Sequence, residues 1–202
     1  MRPLSASPIL ASAGMSPRRL FPAGASDFPE DRSLSLGRLT TLAQSVAGAP
    51  HLWRPLVRHA PLERWYCRLY RGTHYEVWLL GWEVEQDTDI HDHGGSSGAF
   101  CVAEGTLAEY HTDELRSGAL TRTEHEAGST RAFDGACVHN LRNEGPGIAS
   151  SLHAYSPPLT TMNYYTGGRS GVLERVRTLQ VDGPEPGRTE LHPEPHTLGN
   201  VG

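Results

Sequence analysis

The sequence predicts a mainly β protein, a small barrel or sandwich of short strands with helices packed outside it. Two observations lead there. Apolar residues recur at helical spacing only near the start, between Ser33 and Ala49. From Glu63 onward, short runs rich in Val, Leu, Trp, Tyr and Phe alternate with Gly-rich turns at regular spacing, the pattern of a small all-β architecture.

The elements follow in chain order. Residues 1–33 are rich in Ser, Ala and Pro without sustained periodicity, and read as a disordered leader. Leu36, Leu39, Leu42 and Val46 then mark one amphipathic helix, ended by Gly48 and Pro50. A second short helix is expected from His51 to Arg58, before Pro61. Strands are expected at Trp65–Tyr70, Tyr75–Glu83, Phe100–Val102, Leu107–Tyr110, Thr130–Phe133 and Ala149–Tyr155. From Asp182 the chain returns to Pro, Gly, Glu and His. Residues 182–202 thus read as a loose tail, with His192 and His196 solvated. Residues 34–181 form the expected domain.

Composition limits the function. A chain of 202 residues is the size of one domain with irregular ends. Its net charge of −5, with no long basic run, argues against nucleic acid as a partner. The three cysteines are odd in number and widely spaced, which fits reduced thiols better than a disulfide framework. No apolar run approaches membrane-spanning length, and the N-terminus lacks the clean apolar stretch of a signal peptide. The expected setting is the cytoplasm.

The chemistry begins at His91-Asp92-His93. On an extended strand this spacing points both imidazoles to one face, about 6–7 Å apart along the backbone. His139, from a distant segment, can then close one face of an octahedral metal and leave the other open. Neutral imidazole suits iron, copper, nickel and zinc alike.

Two segments here resemble the signatures of the cupins, the double-stranded β-helix proteins. His91, His93, Gly98 and Gly105 keep the spacing of the first; Gly128, Gly135, His139 and Asn143 keep that of the second. Gly98 stands where a carboxylate ligand often sits, which leaves a neutral three-histidine set. Within the cupins, IHDH, VHNLRN and SLHAYSPP, over roughly residues 63–165, resemble the cysteine dioxygenase (thiol dioxygenase) family. The resemblance implies non-haem Fe(II) on His91, His93 and His139. It also implies a Ser151, His153, Tyr155 relay, a Tyr66 and Arg68 substrate pair, a small thiol and O2 as substrates, and a monomer. Family members that prefer 3-mercaptopropionate usually carry Gln at the Arg68 position, so Arg68 favours cysteine. A cis Ser156-Pro157 bond is also implied. Mammalian members crosslink the relay tyrosine to a cysteine at the position of Gly98. Here the thioether cannot form, as is common in bacterial members.

The residues support these roles physically. Ser151, His153 and Tyr155 alternate along one strand, so a hydroxyl, an imidazole and a phenol share a face and can pass a hydrogen bond along. Tyr66 and Arg68 also share a face, and the guanidinium fork matches a carboxylate. Cys101 and Cys67 should face away from the site, and Cys137 has no assigned role. Asp92 should turn from the metal to support a neighbouring turn. Asn143 should bond backbone, Trp78 and Trp82 should be core, and His111 and His125 should be solvated. The expected activity is oxidation of L-cysteine to cysteine sulfinic acid. The alternatives are a dioxygenase of another small thiol, such as 3-mercaptopropionate, and a non-catalytic metal-binding cupin sensor.

Overall fold

The computed structural model of the chain describes Phe28 and residues 31–113, 119–167 and 172–180. Most of the expected leader and the whole of the tail, with His192 and His196, lie outside the described residues. Helix α1 spans Leu36–Ala47, and the Ser35 hydroxyl caps it by accepting the Arg38 N–H at 3.5 Å. Its face of Leu39, Leu42, Ala43 and Val46 is buried, whereas Leu36 in the first turn stays exposed. Helix α2 covers only Pro50–Trp53, shorter than expected. Past it, the Arg58 guanidinium donates to the carbonyls of Pro55, Leu56 and Val57, satisfying backbone acceptors that a continued helix would have used. Among the described residues no helix is long and apolar enough to cross a membrane.

Eleven strands follow among the described residues. They are β1 (Trp65–Arg71), β2 (Glu76–Trp82), β3 (His91–Asp92), β4 (Ser97–Glu104), β5 (Thr106–Thr112), β6 (Thr121–Glu126), β7 (Thr130–Phe133), β8 (Val138–Arg142), β9 (Ala149–Ser156), β10 (Thr161–Gly167) and β11 (Leu173–Gln180). They form two antiparallel sheets, one ordered β1-β2-β9-β4-β7 and the other β11-β10-β3-β8-β5-β6. This is the double-stranded β-helix that the signature spacing implied. All six expected strands are present, several longer than expected. The sequence reading assigned no strand to β6, β10 or β11. In β6 only His125 is buried, and β11 is mostly exposed at a sheet edge, so neither shows a long apolar face.

The pleat of the five-stranded sheet divides the core in two. Its outer face carries Leu69, Val77, Leu79, Ala99, Leu152 and Ala154 against α1. Cys67 and Cys101 lie there too, away from the site as expected. Phe28, inside the stretch expected to be a leader, is packed in this outer core, and its carbonyl accepts the Tyr75 hydroxyl at 3.3 Å. The inner face carries Trp78, Leu80, Trp82, Phe100, Val102 and Tyr155, which meet Leu107 and Leu141 of the other sheet. Asn143 is fully buried. Its amide donates to the carbonyls of Trp82, Glu83 and Gly147, and its oxygen accepts the Gly145 N–H. At the end of β9 the Ser156-Pro157 bond is cis. The chain beyond it is held by Glu76, whose carboxylate accepts the Leu159 N–H at 2.9 Å. Burial pushes the Glu76 carboxyl above its ordinary value.

Candidate metal centre

His91 on β3 and His139 on β8 are register partners, and His93 begins the turn that follows β3. Two glycines with positive φ, Gly94 and Gly95, make that turn. A Cβ on Gly94 would lie 2.5 Å from the Thr161 carbonyl oxygen, so only glycine lets the chain double back here. The three imidazoles are 0–1 % exposed, and one ring nitrogen from each lies within 4.8 Å of the others. The Asp92 carboxylate turns away, as expected, and accepts from Gly94 N–H (2.8 Å), Asn163 Nδ2 (2.9 Å) and the Tyr165 hydroxyl (2.6 Å).

The far side of the rings settles which nitrogen faces inward. His91 Nδ1 is 2.7 Å from the Asp89 carbonyl, and His139 Nδ1 is 2.7 Å from Glu109 Oε1. Both partners only accept, so each Nδ1 carries its hydrogen and each Nε2 keeps its lone pair for the centre. With one nitrogen of His93 they make three imidazole donors with no carboxylate among them, a set that fits a first-row divalent metal and leaves coordination positions for other ligands.

Tyr155 packs beside this group, its ring 5.0 Å from that of His93, while Phe133 stacks on His93 at 4.9 Å. Gly98 pairs across the sheet with Tyr155. A Cβ there would lie 2.5 Å from Phe133 Cζ and 3.0 Å from Tyr155 Cδ1. The space a side chain at this position would need is taken by the Phe133 ring.

The relay residues are in contact: Ser151 Oγ lies 2.8 Å from His153 Nε2, and His153 Nδ1 lies 3.3 Å from the Tyr155 hydroxyl. Trp82 extends the series, its indole N–H donating to Ser151 Oγ at 2.9 Å. Indole nitrogen only donates, and Ser151 is fully buried. If His153 Nε2 also donated to Ser151, the serine proton would have no acceptor, a costly arrangement in the interior. Ser151 therefore donates to Nε2. His153 is then neutral with its proton on Nδ1, and donates to the Tyr155 oxygen. In this polarity His153 cannot accept the phenolic proton.

Tyr66 and Arg68 lie on the inner face of β1. Arg68 and His153 are both register partners of Trp78, on its two sides. The Arg68 guanidinium sits 5.2 Å over the Trp78 ring, and Tyr66 meets Trp78 edge-on at 6.0 Å. Arg68 and Tyr66 are thus brought to the same interior face as the relay, with Trp78 between them and His153.

Four residues absent from the expected site stand behind His139. Glu109 on β5 is fully buried. Besides His139 it takes Arg131 Nη1 on Oε1 at 2.9 Å and His125 Nε2 on Oε2 at 3.0 Å. Arg131 Nη2 also reaches His111 Nδ1 at 3.1 Å. Burial alone would raise the Glu109 carboxyl. The hydrogen bonds from His125 and His139 and the charge of Arg131 outweigh it and hold the group at about 2. The expectation that His111 and His125 are solvated is corrected: His125 is buried and both bond within this cluster. The polar texture of β6 hid this, because its partner Glu109 lies on another strand. One signal was available. Glu109 shares strand parity with Leu107, which faces the core, and a carboxylate at an inward position must have partners. Cys137 lies against Arg131 at 3.8 Å, and burial pushes its thiol up to about 12.

Comparison with known proteins gives a family match to Cysteine dioxygenase type I over residues 26–167. Among solved structures, the chain is similar to the protein TT1209 from Thermus thermophilus, with 19 % identity, 52 % of this chain and 93 % of that chain covered, and a TM-score of 0.46. It is also similar to an RmlC-like cupin protein from Desulfovibrio desulfuricans, with 13 % identity, 51 % and 91 % covered, and a TM-score of 0.43. A third is an uncharacterized protein with a double-stranded β-helix domain from Klebsiella pneumoniae, with 18 % identity, 52 % and 85 % covered, and a TM-score of 0.43.

Proposed function

The chain belongs to the cysteine dioxygenase type I family, and we propose that it is an Fe(II) thiol dioxygenase that converts L-cysteine to cysteine sulfinic acid. The observation that carries this reading is the convergence of His91, His93 and His139 beside Tyr155, whose inner sheet face also carries Trp78 with Arg68 over its ring. Bound iron would supply the chemistry that joins dioxygen to sulfur and would favour the thiolate form of the substrate. His91, His93 and His139 would hold it.

Every other contribution comes from side chains. Arg68, helped by Tyr66, grips the substrate carboxylate. His153 donates to the phenolic oxygen and so does not compete for the Tyr155 proton, which the hydroxyl presents as a hydrogen bond to the reacting groups. Ser151 and Trp82 hold His153 in that tautomer. Phe133, Phe100 and Trp78 line the interior and exclude water. The balance closes without a reductant: both atoms of O2 end on sulfur, which loses the four electrons that O2 gains, and the thiol becomes a sulfinic acid. The reading calls on no residue from a second copy, and a monomer is proposed. The three cysteines are buried and not joined in a disulfide, which supports a reducing cytoplasm as the setting.

The test is oxygen uptake by Fe(II)-loaded protein over a panel of cysteine, 3-mercaptopropionate and cysteamine, with the products identified. The expected result is about one O2 consumed per cysteine sulfinate formed, as the stoichiometry requires. Formation of cystine or peroxide alone would overturn it.

A further inference from the structure

Behind the three histidines lies a buried charge cluster that the proposed mechanism does not use. Glu109 on β5, fully buried, receives three donors: His139 Nδ1 at 2.7 Å, Arg131 Nη1 at 2.9 Å and His125 Nε2 at 3.0 Å. Arg131 comes from β7, on the opposite sheet, so this ion pair crosses the interior of the barrel. The histidines are therefore not equivalent. His91 is backed by a neutral carbonyl, that of Asp89, whereas His139 is backed by a carboxylate.

A carboxylate accepting an imidazole N–H fixes the tautomer and makes the other nitrogen a stronger donor. The Arg131 guanidinium works against that effect by binding the same oxygen, Oε1, that His139 uses. His125 occupies the other oxygen, and its ring is itself wedged edge-on against Phe100 at 5.0 Å. The carboxylate thus has little room to rotate away from His139.

We propose that Glu109 is the positioning residue for His139 and sets its donor strength toward a bound metal, and that Arg131 limits that strength. The inference rests on the reading of the three histidines as an iron site. It makes the two charges act in opposite directions. Removing the negative charge should weaken the hold on metal and destabilise the higher oxidation state. Removing the positive charge should leave more negative charge on His139 and favour the higher state. A purely structural cluster would give both variants the same sign.

The experiment measures Fe(II) affinity by chelator competition and the Fe(III)/Fe(II) midpoint potential, in the wild type, Glu109→Gln and Arg131→Gln. Glu109→Gln is expected to lose about 10–100-fold in affinity and to raise the potential; Arg131→Gln is expected to lower it. Shifts of the same sign, or an affinity in Glu109→Gln equal to wild type, would overturn the proposal. Should a variant not fold, zinc-loaded wild type still decides: the His139 Nδ1 proton should give a downfield, slowly exchanging NMR signal, and its absence would sink the idea. Failure of the wild type to take up Fe(II) at all would instead overturn the iron site itself.

Discussion

Arg68 and Trp82 make distinguishable contributions. A hydrogen bond to a charged group contributes about 1.5–3 kcal/mol, or roughly 10–150-fold in binding. Arg68→Gln should therefore raise KM for cysteine by that order while leaving cysteamine, which has no carboxylate, unchanged. Equal losses for both thiols would mean that Arg68 supports the fold and not the carboxylate. Trp82→Phe keeps the ring but removes the donor to Ser151, so the tautomer of His153 is no longer dictated. The expected outcome is a lower kcat at constant KM, with changed nitrogen shifts at His153. Unchanged shifts would show that Trp82 does not set the polarity. At this scale the three histidines stood out by their spacing, while the Ser151, His153, Tyr155 series and Arg68 came from the family resemblance of their segments. Glu109, Arg131 and His125 were not. They lie on three different strands, and only pairing brings them together.

Gly98 shows how an element carries the site. It sits in β4 opposite Tyr155, with Phe133 in the volume a side chain would fill. Gly98→Ala should cost about 1–3 kcal/mol through overpacking, read as a lower midpoint in urea. It should also displace Phe133 or Tyr155 and lower activity more than the stability loss explains. A variant as stable and active as wild type would show that the Phe133 ring can yield. Strands with a continuous apolar face, such as β2 and β9, were visible in the sequence because both of their faces are buried. Strand β11 was hidden, because an edge strand needs few apolar residues. The short α2 stops ahead of the expected Arg58, because the Arg58 guanidinium takes the carbonyls of Pro55, Leu56 and Val57 that further turns would have used.

The molecule as a whole places His91 and His139 on one sheet, with His93 in the turn after β3, and all five of the proposed relay and substrate residues on the other. A ligand that binds only the folded chain stabilises it by about 2.7 kcal/mol at one hundred times its Kd. For a domain of this size that corresponds to a rise in Tm of roughly 5–10 °C. Fe(II) or Zn(II) should produce that rise, and a chelator should reverse it. An unchanged Tm would argue against a site that binds only the native state. The six-stranded sheet also narrows where the ligands sit. Strand β3 is two residues long, and its ladder to β8 is the single pair His91 and His139, while β10 and β11 lie beyond it. Metal would then act as a rivet across the thinnest seam of the sheet. The amide hydrogens of Asn163 and Tyr164, on the far side of that seam, should exchange more slowly once metal is bound, while those of the outer core around α1 keep their rates.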